Sequence, residues 1–372
     1  MNHDFFPRLR PLVAALALAA LSERVAQAQP ASPAPFTKNA MLRDIARNVI
    51  APGYQQLALE CRELTNSVGQ PVQAPSQTSL DNARKDWLAV SQAASRMRCF
   101  QAGPITDRSY ASTFYYWQVL PVRIDAVLKS PRPIDPSLLD ELGATAKGMF
   151  ALEYLLFDCP GDQPAGTAKT PTTLKLLTGT QSQRRGLYLL TLARDLEAKA
   201  SHLATDWTAP GDQGAMAKFV AGGQESVNLL VNQLAVAMED AAEHSLNFVL
   251  ELPLPISPQL DRIERGRSGS SLQGLIAALE GVQQMYRGAE GLGLDDDLKR
   301  VNAPLEIRLH DQFNAAIAAT RAIGAPLEQA VVDDRASLEN AHQKTRALEI
   351  LLKVDLVSAL GVTLTFSSND GD

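Results

Sequence analysis

The chain has 372 residues, 45% of them hydrophobic and 20% charged, with a formal net charge of -6. That apolar fraction excludes an intrinsically disordered chain, and the mild acidity gives no long-range pull on nucleic acid or anionic lipid. Three cysteines and five histidines exclude a disulfide-stapled scaffold and a Cys/His-rich zinc module.

The first segment reads as an export signal. Arg8 and Arg10 precede an apolar run from Leu12 to Leu21, which is shorter than the roughly 20 residues a membrane span needs. Ala26-Gln27-Ala28 supplies the small-x-small pattern of a cleavage site, so residues 1–28 are expected to be a secretory signal peptide. No cysteine lies near that point, which predicts a periplasmic protein with no lipid anchor and no transmembrane anchor. Cleavage would take three bases (Arg8, Arg10, Arg24) from 35 and two acids (Asp4, Glu23) from 41, leaving a mature charge of -7. Residues 29–36, with Pro30, Pro33 and Pro35, are expected to form a disordered linker.

Helical periodicity dominates the remainder of the chain. The pattern predicts one helix over 37–65 with a kink or break at Pro52, a second over 80–98, and a third over 107–129. A fourth opens at Pro136 or Ser137 and runs to about Phe157. The Gly-, Pro- and Thr-rich stretch from Asp158 to Pro171 is the best domain boundary in the chain. Helices are then predicted over 181–207, 213–250, 271–287, 295–323 (interrupted near Pro304) and 326–360. With no alternating strand pattern, the expected fold is all-α. It is read as two helical bundles packed side by side with a cleft between them. The N-terminal bundle covers 37–160, a linker 161–180, the C-terminal bundle 181–366 and a tail 367–372.

Several residues could carry chemistry. Glu153 is a carboxylate in an apolar run, Met149-Phe150-Ala-Leu-Glu153-Tyr-Leu-Leu-Phe157, so it must be paired, hydrogen-bonded or neutralised. Gly148, placed inside the predicted helix, costs about 1 kcal/mol relative to alanine and suggests close approach by another backbone. The segment Glu264-Arg-Gly-Arg267-Ser268 precedes a serine-rich helix start with Ser270 or Ser271 as N-cap. That arrangement suits either plain capping or an anion. Arg267 could reach across the domain interface to Glu153. Asp240 and His244, four apart with Glu243 nearby, fit a solvated stripe better than a zinc site. Cys99 and Cys159 each follow a predicted helix end and could pair, with Cys61 buried and free. Three unpaired core thiols is an equal alternative.

The Gly148-to-Phe157 run resembles the Gly-x-His-x-x-Glu signature of the imelysin family, the insulin-cleaving peptidase-like proteins of bacterial envelopes. Gly148 and Glu153 fit the signature, and Tyr154-Leu-Leu-Phe157 fits its continuation. Asn48 to Tyr54 resembles the family's opening helix, and Asp86-Trp87 its second-helix tryptophan. Gly103-Pro104 resembles the Gly-Pro after that helix, Arg184-Arg185-Gly-Leu-Tyr188 a fifth helix, and Glu264 to Leu272 the Glu-x-x-Arg-Ser segment. The last residues, Leu360 to Asp372, also look like the family's C-terminus.

The family's histidine position holds Phe150, which can neither ligate a metal nor act as a base. A histidine and a glutamate three apart on one helical face could hold a divalent ion; here one carboxylate remains. The resemblance implies a periplasmic imelysin-like binding or interaction component associated with iron acquisition, non-catalytic, with a degenerate motif in the interdomain cleft. The alternative it implies is a metallopeptidase or a direct metal-ion-binding protein using Glu153, so a divalent metal or iron is the cofactor class open to it. The partner would be an unidentified envelope protein or a small polar or metal ligand. The cleft residues so expected are Trp87, Gly103, Pro104, Gly148, Phe150, Glu153, Arg185, Glu264, Arg267 and Ser268.

Overall fold

The computed structural model describes residues 36–157, 174, 177–178, 182–212, 214–256 and 262–363. The proposed signal peptide, the segment around 161–173 and the C-terminal tail lie outside these residues. Residues from Thr37 onward make one compact unit, and every regular element among the described residues is helical. No helix among the described residues is long and apolar enough to cross a membrane.

Helix α1 runs over 38–73 and starts at Thr37, whose hydroxyl accepts from the Ala40 amide. The expected break at Pro52 is absorbed inside the helix. Residues Ala46–Ile50 form a π-helical stretch, so the Ala51 amide bonds to Ala46 O, and the proline sits where its missing donor and its ring bulk are tolerated. Helix α2, Gln77–Met97, is opened by Ser76 and Ser79, each capping the other's amide.

The next stretch departs from expectation. In place of two long helices there are short ones, Pro104–Asp107, Ala111–Tyr115, Pro121–Lys129 and Pro136–Glu141, and after them helix α3, Met149–Phe157. Three of the four start at a proline, which is preorganised for a first turn and ends whatever precedes it. Asp135 caps the fourth through the Leu138 amide, 3.1 Å. Gly148 is therefore not inside a helix but immediately before one.

Beyond α3 come α4 (Ser182–Thr208), a short helix Ala215–Ala221, and α5 over 224–251, which contains a π-helical stretch at Asp240–Asn247. Gly222 and Gly223 divide what the periodicity predicts as one helix over 213–250. The chain continues through α6 (Ser271–Arg287), α7 (Leu294–Arg321), α8 (Leu327–Asp333) and α9 over 335–360, itself π-helical at Leu351–Leu356. Helix α7 kinks at Asn302, whose side chain caps the Leu305 amide just before the chain resumes past Pro304.

Helix α1 packs most extensively on α4 and α2, and α3 lies against α4 and α2. In the second half α7 packs on α9 and α6, while the π-helical stretch of α5 lies along α9. Helix α4, which the sequence groups with the second half, packs on α1 and α3 of the first, and α2 also lies on α6. Gly281 makes this crossing close, because a Cβ there would stand 2.1 Å from Arg96 O. The core is apolar and includes Trp87, Trp207, Tyr54, Tyr188 and Phe150, all buried.

Candidate functional site

The site is built around α3, an apolar helix with one carboxylate. Its placement begins at Gly148, whose φ of 82° is a conformation L side chains avoid; a Cβ there would also lie 2.5 Å from Thr113 O. The close backbone approach expected at this glycine is therefore present, although it comes from the Ala111–Tyr115 helix against a turn. Trp87 of α2 fixes the helix laterally. Its indole donates to Met149 O at 2.9 Å, and its ring meets Phe150 and Phe157 edge-on at 6.4 and 5.3 Å. The far end is closed by two arginines, Arg84 to Leu156 O at 2.9 Å and Arg185 to Leu155 O at 3.1 Å. Cations donating to the last carbonyls satisfy acceptors the helix itself leaves open and complement its dipole.

Glu153, 3% exposed, points from α3 to the turn before α6. Its Oε1 accepts from the Ser268 amide (3.0 Å) and the Ser268 hydroxyl (2.7 Å). Ser268 is thus the direct hydrogen-bonding partner. The Arg267 guanidinium lies over the Tyr154 ring at 5.0 Å and acts on Glu153 through its charge. Burial pushes the Glu153 carboxyl above the usual range, against the Ser268 hydrogen bonds and the Arg267 and Arg265 charges. Ser270 occupies the N-cap position of α6 but spends its hydroxyl on Ser268 Oγ, 2.8 Å, rather than on the helix amides.

Phe150 stands on the same side of α3. It is 1% exposed, and the Arg265 guanidinium lies 5.5 Å above its ring, an arrangement the ring quadrupole favours. Arg265 is buried, carries a positive φ of 65°, and donates to Ser91 and Ser95 of α2 at 2.6 Å each and to Glu264. Glu264 also pairs with Arg98 at 2.7 Å. Although burial acts to raise it, these two arginines hold its carboxyl below the usual range. Arg98 reaches Asp240 at 3.5 Å, and Asp240 holds His244 at 2.9 Å. That Asp240–His244 pair borders a cavity of about 440 Å³ together with Arg98, Trp117 and Phe248.

The structure therefore brings together Trp87, Gly148, Phe150, Glu153, Arg185, Glu264, Arg267 and Ser268. It does not bring Gly103 and Pro104 with them; these open the Pro104–Asp107 helix beside Trp207, where they line a separate cavity of about 490 Å³. Cys61 and Cys99 are buried free thiols, and burial pushes the Cys99 thiol up to about 12. Cys159 lies outside the described residues.

Roles that sequence reasoning missed are Arg265 as the contact on Phe150, Ser91 and Ser95 as its acceptors, and Glu328 with Ser271, expected only as a cap, as its donor. The i,i+4 serines on the buried face of α2 were a readable signal, since two hydroxyls in an apolar stripe need partners.

The donor set does not fit a divalent ion. One Glu153 oxygen is taken by Ser268, the ring of Phe150 offers no lone pair, and the flanking guanidiniums oppose a cation. Among the described residues no group of three or more His, Cys, Asp or Glu side chains could hold a metal.

Comparison with known proteins gives a consistent fold. The family model described as Imelysin matches residues 50–353. A candidate iron-regulated protein A precursor from Parabacteroides distasonis superposes with a TM-score of 0.70 at 16% identity, covering 88% of this chain and 97% of that one. An imelysin-like protein from Psychrobacter arcticum superposes with a TM-score of 0.69, also at 16% identity and with the same coverage, 88% and 97%. At such identity the likeness is one of fold. No curated protein matches the chain.

Proposed function

Because the chain belongs to the imelysin family, we propose that it is an exported, periplasmic binding or interaction component associated with iron acquisition, in which the family's motif no longer performs chemistry. On this reading two helical bundles, 37–160 and 181–366, enclose the Glu153 site between them. Phe150 is the observation that carries it. The side chain at the histidine position is sealed between Trp87 and Arg265 as a packing element. The hydrogen-bonded oxygen of Glu153 supports the same reading, since a carboxylate bound to Ser268 is poorly placed to activate water. The link to iron rests on the family and on the description of one structural neighbour as iron-regulated.

The test is calorimetric titration of chelator-stripped protein with Fe²⁺, Fe³⁺, Zn²⁺ and Cu²⁺, beside incubation with a denatured protein substrate. The expected result is no binding tighter than about micromolar and no metal-dependent cleavage. Tight binding that disappears in Glu153→Gln, or metal-dependent cleavage lost in that variant, would replace this reading with the metallopeptidase or metal-binding alternative. Cell fractionation and protein levels under iron starvation check the location and the iron link.

A further inference from the structure

A second buried carboxylate flanks the same turn. Glu328 lies in the first turn of α8 and is 2% exposed. Its Oε2 accepts from the Ser271 hydroxyl, and Ser271 Oγ in turn accepts from the Leu327 amide at 2.9 Å. Its Oε1 is buried with no hydrogen-bond partner. That oxygen faces the Ser268–Gly269–Ser270 turn, lying 4.0 Å from the point a Cβ on Gly269 would occupy. The same turn supplies both hydrogen bonds to Glu153.

Two carboxylates so placed cannot both ionise cheaply, since each loses hydration and each repels the other. Their surroundings are unequal. Glu153 has an amide, a hydroxyl and the charges of Arg267 and Arg265, all of which favour an anion. The groups that act on Glu328 are the Ser271 hydroxyl of α6, its own backbone amide and the Glu153 carboxylate of α3. Protonation would convert its orphan acceptor into an O–H donor directed at a serine-rich turn.

We propose that Glu328 is the second functional carboxylate of this site, and that Glu153 and Glu328 form a one-proton pair with Glu153 as the anion and Glu328 as the acid. Burial raises both carboxyls, Glu328 up to about 7 with Glu153 adding to it, and only at Glu153 do guanidinium charges oppose the rise. The inference rests on reading the Glu153 site as a binding site.

The experiment is infrared difference spectroscopy of the full mature protein, following the protonated-carboxyl band through a pH titration. In the wild type one such band should persist above about pH 6, where ordinary glutamates are ionised, and fade with a midpoint of about 7. Glu328→Gln should lack it. In Glu153→Gln the remaining Glu328 should titrate lower, because the repelling charge is gone. Ser271→Ala, which removes the donor to Oε2, should move the midpoint up and serves as a second variant if Glu328→Gln does not fold. Absence of a protonated carboxyl above about pH 6, or a midpoint unmoved in Glu153→Gln, overturns the pair. Such a failure leaves the metal and cleavage tests of the wider reading intact.

Discussion

Two buried glutamates in this molecule are supported in different ways. Glu349, 1% exposed on α9, is flanked by Arg346 at 2.6 Å and Lys353 at 3.1 Å, three and four residues away on the same helical surface. Both cations are partly solvated and also reach Glu243 or Glu239 on α5. Glu153 instead reaches from α3 across more than a hundred residues of sequence to an amide and a hydroxyl, with arginines behind them that are engaged elsewhere. The first arrangement is local, assembled from long side chains that adjust when disturbed. The second is a fixed juncture of three separate elements, α3, the turn at 268 and α8. A local ion pair dissipates the loss of one member, whereas a juncture leaves unmatched donors buried.

That contrast can be broken in a graded way. The largest effect is expected for Glu153→Ala, which strands the Ser268 donors opposite two guanidiniums. Urea denaturation should show a loss of about 3–5 kcal/mol, the range for removing one partner of a buried charged arrangement. Next comes the pH dependence carried by Glu328. Its folded-state acidity is weakened from 4.5 to about 7, so the folded protein holds a proton that the unfolded chain releases. The resulting stability is complete below about pH 4.5 and is lost as pH rises through about 7. It amounts to about 3 kcal/mol across that window, and Glu328→Gln should remove that share of the slope, leaving the smaller part carried by Asp295, whose carboxyl burial raises to about 6. Phe150→His should cost about 2 kcal/mol by thermal or urea unfolding, because an imidazole replaces a larger ring in a dry contact with Trp87 and Arg265. Glu349→Gln should cost least, about 1 kcal/mol, and the difference should shrink in high salt because its cations are partly solvated. Should Glu349→Gln cost as much as Glu153→Ala, the distinction between local pair and juncture is lost.

Much of this was legible in the residues, for identifiable reasons. Helix α6 matches the predicted 271–287 because its apolar stripe is clean and its ends are marked by serine and glycine. The stretches 107–129 and 136–157 read as two helices yet fold as several short ones. Their breaks are set by distant partners, such as Thr145 O accepting from Leu120 N and Ala146 O accepting from Tyr188. Glu153 announced itself as a charge in an apolar run. Glu328 did not, because an acid in the first turn after a proline looks like ordinary dipole compensation. Its burial comes from Ser271, 57 positions away. Gly103-Pro104 was drawn toward the site by resemblance alone, and nothing in its local sequence could say that it faces Trp207.

Trp87 has an optical consequence. Its indole is fully buried, hydrogen-bonded to the first residue of α3 and flanked by two phenylalanine rings, one of them at the motif position. An emitter in so dry and polarisable a setting should fluoresce toward the blue. Any displacement of α3 that loosened the Met149 contact would redden it. With Trp117 and Trp207 replaced by phenylalanine, the protein would carry its own gauge for events at Glu153, readable without a dye and at the concentrations at which a partner would be sought.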